Sequence, residues 1–278
     1  MTPLDTLRSL GYPVTGLLGS GMEGVVAALD EERVVKLWDR RGRAEVDQLR
    51  TFYDAVHHAG FALELPRILE VVEVDGRLLT VQARLHGHVP SADEADLVID
   101  VLATLADLPV HPDMAVLPVP DGEAPFDPRL PFATSLADLV ERRAPLLGDH
   151  LDTGTTAALA SDLRSLTNVS PRLVHGDLGP GNLLVSGGRP SGLLDFGYVS
   201  TVGDPAFDAA VAVVLADMFG PGADATRARI QGLVVERFGY DADRLALYRA
   251  AYGLVTASCL VAAGDGSHFR WCLDLLRR

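Results

Sequence analysis

The chain has 278 residues, of which 48% are hydrophobic and 22% are charged. This composition is typical of a globular protein with enough apolar material for a buried core, and it excludes a disulfide-stapled miniprotein. Asp and Glu number 38 against 24 Lys and Arg, which gives a formal net charge of -14. A nucleic-acid backbone would be repelled by this charge, so nucleic acid is not expected as a partner.

The N-terminal residues do not form a secretion signal, because Asp5 and Arg8 interrupt the stretch that would have to be apolar. No run of about 18 apolar residues occurs in the sequence, so no membrane partner is expected. The two cysteines, Cys259 and Cys272, lack the CxxC spacing of a redox or zinc motif. These features predict a cytoplasmic protein, and they indicate nothing about its oligomeric state.

The first ninety residues contain short apolar runs of four to seven residues, bounded by glycine or by charge clusters. Such runs predict antiparallel strands and hairpins. The predicted strands are Thr15–Leu18, Val25–Leu29, Val34–Leu37, Ile68–Val74 and Leu78–Val81. A helix is predicted over Arg43–His58, because its apolar residues recur at spacings of three and four.

The pattern changes after Gly87. Ser91 is a predicted helix N-cap before an apolar segment that runs to Leu108. Seven prolines between Pro109 and Pro131 predict an irregular connection. Helices are predicted over Ser135–Arg143, Thr155–Leu166, Pro205–Phe219, Asp224–Phe238 and Asp243–Ala263. The sequence therefore predicts an α+β protein with a β-rich N-lobe over residues 1–85 and a helical C-lobe over residues 86–278.

A glycine-rich motif lies between the first two predicted strands. Gly19, Ser20, Gly21, Gly24 and Val26 fit the pattern G-x-G-x-x-G-x-V. Glycines let a backbone approach an anion closely, but a tight hairpin turn explains an isolated match equally well. The position between two strands, rather than between a strand and a helix, favours a kinase-type phosphate loop over a dinucleotide fold.

Lys36 lies in the middle of an apolar strand. A buried ammonium group must be paired or must reach a ligand, although a lysine on an edge strand could extend to solvent. Glu45, early in the following helix, is a candidate partner; the alternative for Glu45 is a solvated helix face. The sequence leaves both pairs of alternatives open.

The segment from Leu173 to Gly197 carries the strongest signal. A strand end delivers His175 and Asp177, a turn leads to Asn182, and a hairpin returns the chain to Asp195. Hairpin geometry places Asn182 and Asp195 at neighbouring strand ends, so two oxygen ligands for Mg²⁺ can lie beside a third acid. Two ordinary Asx turns would explain either half of this pattern but not both. Phosphoryl transfer needs such an arrangement of acids.

The order of these motifs resembles a known family. His175-Gly-Asp177-x4-Asn182, Leu194-Asp195-Phe-Gly197 and Gly203-Asp204-Pro-Ala-Phe-Asp208 are similar to motifs of the aminoglycoside phosphotransferase and choline kinase family. These enzymes are small-molecule kinases with a protein-kinase-like fold. The resemblance covers most of the chain and implies two lobes: a small antiparallel-sheet N-lobe and a larger, mainly helical C-lobe.

The resemblance also implies roles in the C-lobe. Asp177 would be the catalytic base, and Asn182 and Asp195 would hold Mg²⁺. Asp208 would tie down the backbone of the catalytic loop.

In the N-lobe the resemblance implies an ATP site. The glycine-rich motif would cover the phosphates, and Lys36 would bind the α- and β-phosphates while it pairs with Glu45. Backbone groups of Ala83 and Leu85 would hydrogen-bond the adenine, and Gln82 falls at the position that controls access behind it.

Two features argue against a protein kinase. The catalytic triplet is His-Gly-Asp, so the arginine that would pair with an activation-loop phosphate is missing. Asp195 and Asp204 are nine positions apart, which leaves little room for an activation segment. The expected acceptor is therefore a hydroxyl of a small molecule.

An antibiotic is the first choice of acceptor. Acidic residues in the C-terminal half would favour a cationic one, although a solvated surface also explains them; they are Asp208, Asp217, Glu236, Asp241, Asp243 and Asp265. A metabolic kinase acting on choline, homoserine, a fructosamine or a sugar would need the same ATP site. A nucleotide-binding pseudokinase regulator would be expected to have lost a catalytic acid or metal ligand, and none is missing.

Overall fold

The first part of the molecule is built on a five-stranded antiparallel sheet. The computed structural model describes residues 2–119, 122–167, 169–197, 199–261 and 266–277. The strands lie in the order β1-β2-β3-β5-β4. Their bounds are β1 Gly16–Gly21, β2 Gly24–Ala28, β3 Arg33–Trp38, β4 Ile68–Val74 and β5 Arg77–Ala83. All five predicted strands overlap these elements, so the predicted sheet is confirmed.

Two helices accompany this sheet. Helix α1, Pro3–Ser9, was not predicted; it begins at a capping box formed by Thr2 and Asp5, and its Leu7 packs in a small core cluster against the sheet. Helix α2, Arg43–His58, has the predicted bounds. Its buried apolar face belongs to the large core cluster that continues through the rest of the molecule. Helix α2 therefore packs against both parts of the protein.

The second part is mainly helical. Its helices are α3 Val98–Asp107, α4 Phe132–Arg143, α5 Thr153–Ser165, α6 Pro205–Leu215, α7 Ala223–Phe238, α8 Ala242–Leu260 and α9 Gly266–Asp274. Helices α6 and α8 are buried along most of their length and form its centre. Two small antiparallel pairs lie among them: β6 Arg172–Val174 with β9 Thr201–Gly203, and β7 Leu183–Ser186 with β8 Arg189–Leu193.

The structure also differs from the predicted elements after residue 90. Ser91 and Glu94 form a capping box, but the helix they start is a 3-10 helix over Ala92–Leu97 that precedes α3. Helix α6 ends at Leu215 rather than at Phe219. Strand β9 was not predicted, because three residues are too few to show a period. The division at residues 85 and 86 stays a prediction; β5 ends just before it, at Ala83.

None of the helices in the described part of the chain has the length and apolar character that crossing a bilayer requires.

Candidate active site

The predicted catalytic loop follows strand β6 and carries His175, Gly176 and Asp177. Helix α6 stabilises this loop through Asp208. Asp208, in the first turn of α6, accepts hydrogen bonds from the backbone N–H groups of His175 and Gly176, both at 2.7 Å. Asp208 is buried, and burial raises the pKa of its carboxyl, while the hydrogen bonds from the two N–H groups lower it. The predicted contact between Asp208 and the loop backbone is therefore present.

His175 connects this loop to the segment that carries Asp195. Its Nε2 lies 2.8 Å from the carbonyl oxygen of Leu194, and its Nδ1 lies 3.2 Å from the backbone N–H of Asp177. The partners assign the proton to Nε2, because Nδ1 must accept. The ring also packs against Phe196, with 4.5 Å between ring centroids. One buried side chain thus fixes the spacing between the two acid-bearing loops.

Asp177 is a half-buried carboxyl with two side-chain partners. Its Oδ1 accepts from the hydroxyl of Tyr252 at 2.8 Å, and its Oδ2 lies 3.3 Å from Nδ2 of Asn182. Burial raises the pKa of Asp177, and the hydrogen bond from Tyr252 opposes that rise. A carboxylate with a raised pKa is a better proton acceptor than an exposed one. Tyr252 lies 75 residues further along, on α8, and no motif in the sequence marks it.

Asn182 and Asp195 lie side by side, as the hairpin predicts. The backbone N–H of Leu194 donates to the carbonyl oxygen of Asn182 at 2.8 Å. The side-chain amide of Asn182 donates to the carbonyl oxygen of Asp177 at 2.8 Å, which leaves its Oδ1 as an acceptor or ligand. Asp195 has φ 53° and a side chain that is 55% exposed.

These two side chains fit a magnesium ion. Both offer oxygen, and Mg²⁺ in proteins commonly takes one or two protein ligands while phosphates and water complete its shell. Within the described ranges, no group of three or more His, Cys, Asp and Glu residues could hold a metal. Two oxygen ligands suit an ion that is shared with phosphate and water.

Lys36 is buried, as its place in the strand indicates. Its Nζ lies 3.0 Å from Oδ1 of Asp195 and 3.4 Å from Oε2 of Glu23. The prediction that Glu45 pairs with Lys36 is wrong. Glu45 instead accepts from the backbone N–H of Gly42 at 2.7 Å, at the N-terminus of α2. A nearby unsatisfied helix N–H is an easier partner for Glu45 than a lysine on another element.

Most of the predicted site residues line one cavity of about 360 Å³. Eight of the twelve predicted residues line it: Gly19, Ser20, Gly21, Gly24, Lys36, Asp177, Asn182 and Asp195. Among the described residues, the other four, Glu45, Gln82, Ala83 and Leu85, are not part of its lining. A larger cavity of about 760 Å³ lies beside β9 and the proline-rich connection, and no predicted site residue lines it. The smaller cavity is the candidate active site, because the acids and the lysine meet there.

The predicted adenine contacts lie on and after strand β5. Gln82 is buried, and its Nε2 donates to Oγ1 of Thr80 at 2.7 Å. The backbone N–H of Ala83 donates to the carbonyl oxygen of Arg67 at 2.9 Å. A hydrogen bond between Ala83 and adenine would therefore have to use the carbonyl oxygen of Ala83 as the acceptor. The roles of Gln82, Ala83 and Leu85 stay predictions.

Residues 17–248 match the model of the phosphotransferase enzyme family. Among solved structures, a thermostable mutant of aminoglycoside phosphotransferase APH(4)-Ia in its apo form is 16% identical, with a TM-score of 0.72 and coverage of 99% of this chain and 97% of that chain. A ternary complex of that protein with ADP and hygromycin B is 17% identical, with a TM-score of 0.70 and coverage of 99% and 96%.

The GDP and kanamycin complex of APH(2")-IIia is also 17% identical, with a TM-score of 0.65 and coverage of 99% and 96%. At these identities the likeness concerns the fold, and the expected protein-kinase-like α+β fold is confirmed. No curated protein matches the sequence significantly.

Proposed function

The chain belongs to the phosphotransferase enzyme family, and from that premise we propose that this kinase transfers the γ-phosphoryl group of ATP to a hydroxyl of a small molecule, with an antibiotic as the acceptor. The observation that carries the proposal is the cavity in which the glycine-rich motif, Lys36, Asp177, Asn182 and Asp195 come together. A phosphate loop, a lysine, a base and metal ligands are the parts that phosphoryl transfer needs.

In the proposed reaction, Asp177 orients the acceptor hydroxyl. Oδ1 of Asp177 already accepts from Tyr252, so the hydroxyl proton would pass to Oδ2. The hydroxyl oxygen forms a bond to the γ-phosphorus, and the bond between that phosphorus and the β–γ bridging oxygen breaks, which releases ADP. The raised pKa of Asp177 supports its use as the base, since proton transfer is most effective when the pKa of the base approaches the working pH.

The N-lobe would hold the nucleotide. Lys36 is proposed to contact the α- and β-phosphates, the glycine-rich motif to cover them with its backbone, and Ala83 and Leu85 to contact adenine. Asn182 and Asp195 would hold Mg²⁺, which neutralises charge on the transferring phosphoryl group when it is bound.

An antibiotic acceptor is supported by the structural neighbours, whose complexes contain hygromycin B and kanamycin. Fewer acidic residues support a cationic acceptor than the sequence suggests. Asp208, on α6, is buried against the catalytic loop and is not available to attract a ligand, while Asp241 is exposed and caps α8. Asp265 lies outside the described residues. The remaining support is the net charge of -14 together with Asp217, Glu236 and Asp243, of which Glu236 and Asp243 are exposed. The proposed compartment is the cytosol, where ATP is abundant.

An acceptor screen tests this proposal. Purified protein is incubated with Mg²⁺ and either ATP or GTP, against aminoglycosides, macrolides, peptide antibiotics and metabolic alcohols. We expect nucleotide consumption with at least one antibiotic class and a product heavier by one phosphoryl group. The Asp177→Asn variant serves as the blank for each acceptor.

Two results of the screen would contradict the proposal at different levels. Turnover with choline, homoserine, a fructosamine or a sugar alone would replace the antibiotic with a metabolic acceptor and keep the kinase. Nucleotide binding without turnover on any acceptor would favour a pseudokinase regulator.

A further inference from the structure

A group of ion pairs around Glu23 connects the glycine-rich motif to the rest of the cavity. Glu23 is part of that motif, between Gly21 and Gly24. Its Oε2 lies 3.4 Å from Nζ of Lys36, and its Oε1 accepts from Nε and Nη2 of Arg41 at 2.9 and 2.5 Å. The side chains of Lys36 and Arg41 are only 7% and 8% exposed, and Glu23 is 23% exposed. One carboxylate thus pairs with two buried cations.

Arg41 also lies against the loop that carries Asp195. A Cβ added at Gly197 would collide with Nη2 of Arg41, and Oε1 of Glu23 would be 3.7 Å from it. The guanidinium therefore occupies the space that the missing side chain of Gly197 leaves open. Glu23 and Arg41 together join the glycine-rich motif to the segment that carries Asp195 and Gly197.

We propose that Glu23 is the carboxylate that positions Lys36 for the nucleotide phosphates, and that Arg41 positions Glu23. This inference rests on the proposed nucleotide site. The role of partner to Lys36, which the resemblance assigned to Glu45 on α2, belongs here to the phosphate loop itself.

The charges explain why Lys36 needs this partner. A buried ammonium group is costly without a counter-charge, and the other carboxylate near Lys36 is Asp195. If Glu23 were neutral, Lys36 and Asp195 would pair with each other more strongly. The phosphates would then compete with Asp195 for Lys36, and the metal would compete with Lys36 for Asp195. Glu23 keeps both groups available by sharing the charge of Lys36.

The experiment measures the affinity of ATP with Mg²⁺ by calorimetry, without any acceptor, in Glu23→Gln, Arg41→Met and Arg41→Lys. We expect Glu23→Gln to weaken nucleotide binding by roughly tenfold or more, since it removes a charge-assisted contact. Arg41→Met is expected to act in the same direction with a smaller effect. Arg41→Lys should lose less nucleotide affinity than Arg41→Met, because an ammonium group keeps the charge but lacks the planar fork of the guanidinium.

Two further variants make the result specific. Asp30→Asn neutralises an exposed ion pair with Arg33 on the same sheet, and we expect nucleotide affinity within twofold of wild type. Glu45→Gln tests the competing carboxylate, and we expect a lower melting temperature from the weakened α2 cap without a comparable loss of nucleotide affinity.

Once an acceptor is known, the KM values provide a readout that a general loss of stability would not move. Glu23→Gln should raise the KM for ATP and leave the KM for the acceptor unchanged. Thermal unfolding tests whether Glu23 and Arg41 act as a pair. The double variant Glu23→Gln/Arg41→Met should have a melting temperature no lower than that of the less stable single variant, because each single substitution already removes the shared contact.

Equal or tighter ATP binding by Glu23→Gln would overturn the inference, because Glu23 would then only fill the place of a phosphate. A loss of affinity in Glu45→Gln that equals the loss in Glu23→Gln would overturn it as well. If no acceptor is phosphorylated but Glu23→Gln still weakens nucleotide binding, the proposed reaction fails and the positioning role stands. A wild-type chain that binds no nucleotide would contradict both.

Discussion

The two halves of the candidate site are held together by different kinds of contact. In the C-lobe, buried side chains bond to backbone groups: Asp208 accepts from two N–H groups of the catalytic loop, and Ser200 donates to the carbonyl oxygen of His175. In the N-lobe, long side chains pair with each other: Lys36 and Arg41 share Glu23. Substitution of Asp208 should therefore destabilise the fold, and substitution of Glu23 should chiefly weaken nucleotide binding.

Asp195→Asn is expected to have the largest effect on nucleotide binding. Asp195 has φ 53°, a region that asparagine tolerates, so the variant should fold. Loss of the carboxylate should weaken Mg²⁺-dependent nucleotide binding roughly 100-fold, because even the neighbours of metal ligands contribute tenfold or more. Calorimetric titration with and without Mg²⁺ measures this change.

A matched control exists for this variant. Asp75 also has positive φ, at 51°, in the exposed turn between β4 and β5, and Asp75→Asn should bind nucleotide as the wild type does. Unchanged affinity in Asp195→Asn would mean that the metal is held elsewhere.

Asp208→Asn tests the C-lobe half of the comparison, and it should lower the free energy of unfolding. An amide offers one acceptor oxygen where the carboxylate offers two, so one buried N–H loses its partner. The expected cost is on the order of 2 to 3 kcal/mol of unfolding free energy, measured by denaturant titration. Asp224→Asn, on a fully exposed side chain of α7, is the control. A variant as stable as the wild type would show that the buried carboxylate does not hold the catalytic loop.

Tyr252→Phe should change the pH dependence of turnover. Burial raises the pKa of Asp177, and the hydrogen bond from Tyr252 lowers it, so removal of the hydroxyl should raise the pKa further. The base works deprotonated, and activity is lost as pH falls through its pKa. The acid limb of kcat/KM should therefore move to higher pH, and kcat should fall by roughly tenfold.

Tyr12→Phe, on a partly buried tyrosine of the N-lobe, should leave the pH profile where it is. An acid limb in Tyr252→Phe that stays in place or moves to lower pH would mean that Asp177 is not the group that titrates.

The smallest expected effect concerns the acceptor. If the acceptor is a cation attracted by the net charge of -14, its kcat/KM should fall a few-fold as salt rises, because screening lengths shrink from about 30 Å at 0.01 M to about 8 Å at 0.15 M. ATP is kept saturating so that the response reports acceptor capture. A flat response would reject the cationic acceptor and leave the kinase assignment intact.

The C-lobe half of the site could be predicted because a hairpin joins Asn182 to Asp195 and because the family resemblance marks Asp208, whose contact with His175 spans 33 residues. The hairpin between Asn182 and Asp195 places the two residues next to each other. The proline after Asp204 sets the start of the helix that carries Asp208. These relations depend on local geometry, which a motif records directly.

The remaining parts depend on distance in space rather than on spacing along the chain. Lys36 pairs with Glu23 rather than with Glu45, because Glu45 bonds to a backbone N–H at the start of its own helix. Long side chains can reach several partners, so the sequence alone does not decide between them. Tyr252 reaches Asp177 only through the packing of α8 beneath the catalytic loop. Neither contact has a signature in one sequence.

The most direct test of the account is Asp177→Asn measured in two ways. The central claim is that Asp177 aligns the acceptor while the N-lobe and Asp195 hold the nucleotide. We therefore expect phosphoryl transfer to the best acceptor to fall by about 10³-fold or more, while the affinity for ATP with Mg²⁺ stays within a few-fold of wild type. Near-normal transfer by the variant, or loss of nucleotide binding equal to the loss of transfer, would contradict that division of roles.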